Sequence, residues 1–255
     1  MADHDVIMTR SSIEFLRVRR AKYQASEINR EFNAGGPRFP PCPRPIGVLG
    51  GTFDPIHYGH LRPALELLEA LDLAEIRFVP CRIPAHRGAP QITAEQRLTL
   101  VRLATAGQTG FVVDDRELRR EGPSYMVDTL ASLREDFGDI PLCLIVGVDA
   151  FRELHTWHRW RELSQFAHIV VMQRPGPSKP FVPVLEEFIA PRMADSAALR
   201  QRLAGGILFQ PVTQLDISAT YIRALLARGQ SPRFLLPETA LAHIHERALY
   251  RSLPT

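Results

Sequence analysis

Short runs of apolar residues alternate with longer segments of helical periodicity along most of the chain. Six runs have the length of buried strands, and they lie at residues 46–49, 76–80, 111–113, 141–147, 168–172 and 206–209. Continuous apolar strands are typical of a parallel sheet that helices cover on both faces. After the first run, a helix is predicted from about Leu61 to Leu71, with Pro63 tolerated in its first turn. The alternation predicts an α/β fold with a right-handed, doubly wound parallel sheet.

Two segments depart from this pattern. Residues 33–43 are rich in glycine and proline, as linkers are, and they follow a stretch of weak helical character. Segment 1–44 carries eight basic and five acidic residues, so it holds the whole net charge of +3. We therefore expect a flexible N-terminal extension at 1–44 and one folded domain at 45–255. Within that domain, residues 177–203 form a proline-dotted insertion with one candidate helix.

Composition excludes several classes of protein. Apolar residues make up 45% and charged residues 23% of the chain, as in ordinary globular proteins. No apolar run approaches the roughly 20 residues of a membrane-spanning helix, and the first ten residues lack the apolar core of a secretory signal. The scattered cysteines Cys42, Cys81 and Cys143 favour free thiols and a cytoplasmic location. Because residues 45–255 balance to zero charge, we expect no nucleic-acid partner despite the pI of about 9.0.

The segment GVLGGTFDPIHYGH at 47–60 joins a buried strand, a double glycine, a short loop and two histidines at a helix start. Gly50 and Gly51 let the backbone turn sharply and bring its N–H groups close to a ligand. A helix N-terminus attracts anions, and His57 and His60 are spaced so that both rings can face one ligand. A metal site is the alternative for such a pair, but no nearby Cys or His completes it. The segment predicts a phosphate site at the end of the first strand.

A second segment, DISATYIR at 216–223, places polar groups at the start of another helix. Ser218 is a favourable N-cap residue, and the following hydroxyl of Thr220 lies in the first turn. Arg223 lies about one turn further, where its guanidinium could hold phosphate oxygens. A capped helix with one surface arginine is common, so this segment carries weight only together with the first one.

The sequence GGTFDPIHYGH resembles the T/H-x-G-H signature of the nucleotidyltransferase superfamily, in the wording of bacterial nicotinate-nucleotide adenylyltransferases. ISATYIR is similar to the second signature of that family, Ile-Ser-x-Thr-x-x-Arg. The resemblance covers about residues 46–251 and implies a Rossmann-like nucleotidyltransferase domain at 45–255. It implies adenylyl transfer from ATP to nicotinate mononucleotide, which gives nicotinate adenine dinucleotide and pyrophosphate in NAD biosynthesis.

Three shorter motifs extend the resemblance. CRIPAHR at 81–87 resembles a family loop with Pro-Pro-His-Lys/Arg, although Ala85 replaces a proline. GPSYM at 122–126 resembles Pro-Ser-Tyr-Thr, although Met126 stands in place of the usual threonine. Gly147-Val148-Asp149 is similar to the Gly-x-Asp of the family, in which the glycine lies against the base and the aspartate accepts from ribose hydroxyls. Trp157 gains a functional interpretation only from this resemblance, because a tryptophan is otherwise more often a residue of the hydrophobic core.

The resemblance implies a role for each of these residues. The residues expected to be catalytic are His57, His60 and Arg223, with His60 closest to the reacting α-phosphate. Those expected to bind ATP are Gly50, Gly51, Thr52, Phe53, His86, Arg87, Gly147, Asp149, Arg174, Ser218 and Thr220. Those expected to bind the pyridine nucleotide are Ser124, Tyr125, Met126, Trp157 and His158.

The expected partners are ATP and nicotinate mononucleotide, with no membrane partner and with homo-oligomerisation left open. Mg²⁺ is expected to enter with ATP, since magnesium keeps its waters and needs few protein ligands. No dedicated metal residue is visible, and Asp54 is at most a candidate. One alternative is a related adenylyltransferase that uses nicotinamide mononucleotide or phosphopantetheine. The other is a nucleotide-binding regulator without catalysis, against which the complete set of signature residues argues.

Overall fold

The computed structural model describes residues 43–85, 88–173, 179–213 and 215–251. From Pro41 onward the chain forms one compact unit. The predicted extension lies almost entirely outside the described residues, as do three residues of the predicted ATP site, His86, Arg87 and Arg174. These predictions therefore stay predictions.

Six strands form one sheet in the order β3-β2-β1-β4-β5-β6, and every neighbouring pair is parallel. The strands are β1 Ile46–Gly51, β2 Glu75–Pro80, β3 Phe111–Val113, β4 Leu142–Gly147, β5 His168–Gln173 and β6 Ile207–Pro211. The predicted doubly wound parallel sheet is confirmed. The chain runs outward from β1 in one direction and from β4 in the other, so the order reverses between these two strands. In open α/β sheets, ligands bind beyond the carboxyl ends of the strands at such a switch point.

The described ranges contain ten α-helices, of which eight lie between strands and two follow β6. They are α1 Tyr58–Ala70, α2 Ala94–Thr105, α3 Arg116–Arg119, α4 Met126–Phe137, α5 Val148–Arg152, α6 Leu163–Phe166, α7 Pro183–Ile189, α8 Ala198–Gln201, α9 Ala219–Ala227 and α10 Glu238–Glu246. Short 3-10 turns lie at Leu154–Thr156, Trp160–Glu162 and Ala190–Arg192. The insertion at 177–203 therefore contains two α-helices, α7 and α8, where the sequence predicts one.

The start of α1 differs from the prediction. The helix begins at Tyr58, three residues before the expected Leu61, because the His57 side chain caps it. Pro63 consequently lies in the second turn and not in the first, so that prediction was wrong. By contrast, Thr93 followed three residues later by Gln96 is a sequence pattern that predicts a capping box, and α2 begins with one: Thr93 Oγ1 accepts from the Gln96 N–H at 3.2 Å and Gln96 Oε1 accepts from the Thr93 N–H at 2.9 Å.

The core lies on both faces of the sheet. Along β4, Leu142, Leu144 and Val146 belong to one hydrophobic cluster, and Cys143 and Ile145 belong to the other. Successive strand residues point to opposite faces, so the uninterrupted apolar run reflects a strand that is buried on both sides. One cluster takes in buried residues of α1, α9 and α10, and the other takes in those of α4, α6 and α7. This packing fixes the helix starts at the carboxyl edge of the sheet.

Cys81 and Cys143 are free thiols, as predicted, and Cys42 lies outside the described residues. Over the described ranges, no helix has both the length and the apolar character needed to cross a bilayer.

Candidate nucleotide-binding site

The predicted phosphate residues converge at the carboxyl edge of the sheet. Gly50 and Gly51 end β1, and the loop that follows leads directly into α1. The start of α9 lies against this loop, because the Arg223 Nη1–H donates to the Asp54 carbonyl at 2.7 Å. The two signature segments, far apart in sequence, therefore meet.

The side chains of His57 and His60 each accept a hydrogen bond from a backbone N–H at the start of α1, where they form a capping box. The His57 Nδ1 accepts from the Gly59 N–H at 3.1 Å, and the His60 Nδ1 accepts from the His57 N–H at 3.4 Å. The two rings lie 3.9 Å apart between centroids. Because each Nδ1 accepts, each neutral ring carries its proton on Nε2. The helix cap thus sets the tautomer of both histidines.

The His57 ring is almost fully buried, with 5% of the residue exposed. Burial disfavours the charged imidazolium and lowers the pKa of His57 from 6.5 to about 4. At neutral pH this ring is therefore a neutral hydrogen-bond donor. The His60 ring is less buried, and the Phe53 ring meets it edge-on at 5.2 Å.

Gly59 makes room for this arrangement. A Cβ on Gly59 would lie 2.9 Å from Cε1 and Nδ1 of the His57 ring and 3.3 Å from the Ile217 carbonyl oxygen. Contacts below 3.0 Å force a neighbour to move, and the carbonyl on the other side belongs to the segment before α9. The glycine in His-Tyr-Gly-His is thus required by close packing between the His57 ring and the second signature.

Asp54 is an internal acceptor. Its Oδ1 accepts from the Tyr250 hydroxyl at 2.8 Å, and its Oδ2 accepts from the Gln91 N–H at 2.9 Å. Burial first, and then the neighbouring Asp54 carboxylate, raises the pKa of Tyr250, so the phenol stays a donor. This carboxylate, a candidate magnesium ligand on sequence grounds, is instead used to hold the β1–α1 loop. Among the described residues, no group of three or more His, Cys, Asp or Glu could hold a metal ion.

The start of α9 carries the polar groups that the sequence predicts there. Ser218 is the N-cap, and its Oγ accepts from the Tyr221 N–H at 3.2 Å. Arg223 also donates from Nη2 to the Thr220 Oγ1 at 3.4 Å. Its side chain is 22% exposed, and its buried Nε makes no hydrogen bond to any residue that the structure describes. The guanidinium is thus fixed at the loop after β1, with one buried donor unsatisfied.

The residues predicted to bind the pyridine nucleotide lie at the start of α4 and in the segment after α5. The Tyr125 and His158 rings stack with centroids 4.2 Å apart. Trp157 is half-buried against the core, whereas Trp160 is the fully packed tryptophan. The Met126 side chain turns toward β1, and its Cε occupies the space that a Cβ on Gly50 would take. The start of α4 is thereby packed on the end of β1.

Ser124 connects this region to the loop after β2. Its Oγ accepts from the Arg82 N–H, and its own N–H donates to the Ile83 carbonyl, both at 3.0 Å. Gly147 is the N-cap residue of α5, and Asp149 is exposed in the first turn of that short helix. Gly147 is the last residue of β4, which pairs with β1, and Asp149 follows the end of that strand.

Three residues at the site were not predicted from the sequence. Tyr250 and Arg97 hold the loop after β1, through Asp54 and through the Thr52 carbonyl. Glu117 is buried and accepts from the Thr129 hydroxyl, and burial raises the pKa of Glu117 although the Thr129 and Ser124 hydroxyls lower it. None of the three lies in a local motif, so no pattern along the chain could have found them.

Known proteins resemble this chain over most of its described length. A family model described as cytidylyltransferase-like matches residues 48–225. A protein named probable nicotinate-nucleotide adenylyltransferase from Halorhodospira halophila is 54% identical over 208 residues, covering 81% of this chain and 95% of that protein. One of the same name from Aeromonas salmonicida is 49% identical over 209 residues, covering 82% and 98%. The solved nicotinic acid mononucleotide adenylyltransferase of Plasmodium falciparum, complexed with NaAD, matches with a TM-score of 0.60 at 17% identity, covering 81% and 97%. This last likeness shows the fold alone.

The depressed pKa of His57 predicts a pH-dependent stability. Below pH 6.5 the unfolded chain gains a proton at this ring and the folded chain does not, so stability falls as pH drops from 6.5 toward 4. The full effect is about 3 kcal/mol, or roughly 1.4 kcal/mol for each unit of pKa shift. The free energy of unfolding, measured with urea for the wild type and for His57→Gln across this pH range, gives the contribution of His57. The comparison is needed because burial also lowers the pKa of His168, which both proteins retain. An NMR titration midpoint of His57 near 6.5 would contradict the assignment.

Gly59→Ala should displace the His57 ring. We expect the pKa of His57 to rise toward its ordinary value and the free energy of unfolding to fall by about 1–3 kcal/mol, as overpacking does. NMR titration and urea unfolding measure both effects. Gly88→Ala is the matched control, because a Cβ there would meet no atom of the described residues within 4 Å. An unchanged His57 titration in a folded Gly59→Ala variant would show that the close contact does not position the ring.

Proposed function

We propose that this chain, which belongs to the nicotinate-nucleotide adenylyltransferase family, transfers the adenylyl group of ATP to nicotinate mononucleotide. The products are nicotinate adenine dinucleotide and pyrophosphate, and the step belongs to NAD biosynthesis. The observation that carries the proposal is the pair of histidines locked as Nε2–H donors at the start of α1, directly beside the start of α9. A cytoplasmic location suits the free thiols of Cys81 and Cys143.

The reaction needs no protein nucleophile. A phosphate oxygen of nicotinate mononucleotide forms a bond to the α-phosphorus of ATP, and the bond from that phosphorus to the oxygen bridging the β-phosphate breaks. The electron pair leaves with pyrophosphate. Such a transfer can be catalysed by holding the two nucleotides in line and by stabilising the charge that develops on phosphate oxygens. The task of the protein is therefore positioning and hydrogen-bond donation.

We assign that donation to His60 and His57. Each ring carries its proton on Nε2 and can donate it to a ligand. If either ring rotated, its Nδ1 would lose the hydrogen bond that it accepts from a backbone N–H. His60 is the more exposed of the two and lies closer to the reacting α-phosphate in this proposal. His57 contributes as a neutral donor and as the cap that orients its partner.

The β- and γ-phosphates are assigned to the start of α9. A helix N-terminus presents N–H groups and a positive partial charge, which favour phosphate. Ser218 is the N-cap of this helix and Thr220 lies in its first turn, while Arg223 lies about one turn further and has a buried Nε that makes no hydrogen bond to any described residue. His86, Arg87 and Arg174 complete the proposed ATP site, together with Gly50 to Phe53, Gly147 and Asp149.

The pyridine nucleotide is assigned to Ser124, Tyr125, Met126, Trp157 and His158. The stacked Tyr125 and His158 rings and the half-buried Trp157 offer flat apolar surfaces beside polar groups. A pyridine ring can stack on such surfaces. The N–H groups at the start of α4 lie nearby and can receive a carboxylate.

Mg²⁺ would accompany ATP. The described residues offer no cluster of carboxylates for a protein-built magnesium site, and the Asp54 oxygens already accept from Tyr250 and Gln91. The ion would therefore be held chiefly by phosphate oxygens and water, where it offsets the charge of the triphosphate.

The decisive experiment measures pyrophosphate release with ATP and Mg²⁺ for three acceptors: nicotinate mononucleotide, nicotinamide mononucleotide and phosphopantetheine. We expect strong preference for the nicotinate compound. Comparable use of the amide would place the protein among the related adenylyltransferases of looser specificity. If ATP binds but no acceptor yields pyrophosphate, the protein is a nucleotide-binding regulator and the proposed function is wrong.

His60→Ala should reduce turnover by roughly tenfold or more and leave the fold intact, as expected for a lost transition-state contact. Turnover with nicotinate mononucleotide and circular dichroism measure the two effects. His245→Ala is the control, because His245 is exposed on α10, outside the proposed site. Near-normal turnover of a folded His60→Ala variant would remove His60 from its assigned role.

A further inference from the structure

Arg97 is a buried cation without an ionised partner among the described residues. It lies on α2 and is 1% exposed. Its Nη1–H donates to the Thr52 carbonyl at 2.6 Å, and its Nη2–H donates to the Cys81 and Arg82 carbonyls at 2.6 and 3.1 Å. Its buried Nε makes no hydrogen bond within the described part of the chain. Burying a charge costs several kcal/mol after relaxation, so an unpaired buried arginine calls for a specific explanation.

The three carbonyls belong to two different loops. Thr52 follows β1 and begins the loop that carries the histidines, while Cys81 and Arg82 follow β2. These loops leave neighbouring strands at the carboxyl edge, where the proposed site lies. The Arg97 guanidinium therefore bridges the loop after β1 and the loop after β2.

Because the peptide unit is planar, a hydrogen bond that fixes a carbonyl also fixes the direction of the N–H that follows it. In a planar trans peptide the carbonyl and the following N–H point in opposite directions. Because Arg97 holds the Cys81 carbonyl, the Arg82 N–H must point away from Arg97, and there it donates to the Ser124 Oγ at 3.0 Å. The same rule directs the Phe53 N–H away from Arg97, since Arg97 holds the Thr52 carbonyl.

We propose that Arg97 is a positioning residue that orients both halves of the site. Through Thr52 it aims the Phe53 N–H at the triphosphate, and through Cys81 and Arg82 it sets the loop that Ser124 grips. This inference rests on the proposed function for the identity of the ligands. Arginine suits the role because its rigid planar fork presents several donors in fixed directions, whereas lysine offers a single compact ammonium.

Arg97→Lys and Arg97→Met test the proposal, with Arg102→Lys and Arg102→Met as matched controls. Arg102 lies on the same helix, but it is exposed and pairs with Asp115 at the surface. We expect kcat/KM for ATP, counted per folded molecule, to fall roughly tenfold or more in both Arg97 variants and to stay at the wild-type value in the controls. Amide exchange at Arg82 should accelerate in the Arg97 variants, while exchange at Leu144 in β4 should not.

A merely structural role would give a different result. In that case the Arg97 variants would unfold at lower temperature, yet their folded molecules would keep wild-type kcat/KM and wild-type exchange at Arg82. That outcome would overturn the proposal. If Arg97→Met does not fold, Arg97→Lys decides, because it keeps the charge and loses the bridge.

A measurement on the unmodified protein needs no variant and no acceptor. Adding a non-hydrolysable ATP analogue should shift the Phe53 amide resonance downfield, as a new hydrogen bond to phosphate does. A bound analogue that leaves this resonance unmoved would overturn the proposal. If the wild type releases no pyrophosphate with any acceptor, the proposed function fails, but this titration still tests the orientation of the Phe53 N–H.

Discussion

The reciprocal cap between His57 and His60 is the interaction on which the site depends. It uses one nitrogen of each ring to satisfy backbone N–H groups that a helix start would otherwise leave unpaired. The remaining nitrogen of each ring must then carry the proton, so structure and chemistry are set by the same two bonds. Burial completes the effect for His57, because it keeps that imidazole neutral. A motif of two histidines and one glycine thus fixes the position and the tautomer of both rings, and for His57 also the charge.

A second layer of side chains holds the backbone of the β1–α1 loop. Asp54 anchors the loop to Tyr250 near the end of the chain and to the Gln91 N–H before α2. Arg97 draws the Thr52 carbonyl toward α2, and Arg223 binds the Asp54 carbonyl from α9. These contacts come from three separate parts of the chain. The loop is therefore shaped by tertiary structure, and its own sequence supplies mainly the groups that face the ligand.

This division explains what the sequence could predict. Strands, the Thr93 capping box and the Ser218 cap were found because each depends on residues a few positions apart. The start of α1 was missed because histidine is not among the favoured N-cap residues, so a cap made by His57 has no ordinary signal. Arg97, Glu117 and Tyr250 were missed for another reason: each becomes important only when distant loops meet. The sequence around Arg97 predicts an ordinary helix and does not show which distant carbonyls the arginine binds.

Met126 shows how a departure from a family pattern can be absorbed. A threonine hydroxyl at this position could contact the pyridine nucleotide, whereas the methionine side chain turns to the bare Cα of Gly50. Its thioether therefore fills the space between α4 and β1, a use suited to a flexible apolar side chain. The Met126 N–H is unaffected by the change, because residue 126 is the first of α4 and its N–H belongs to the group without an intrahelical acceptor. If the Met126 N–H donates to the carboxylate of the substrate, methionine in place of threonine changes the packing between α4 and β1 but keeps this backbone contact to the carboxylate.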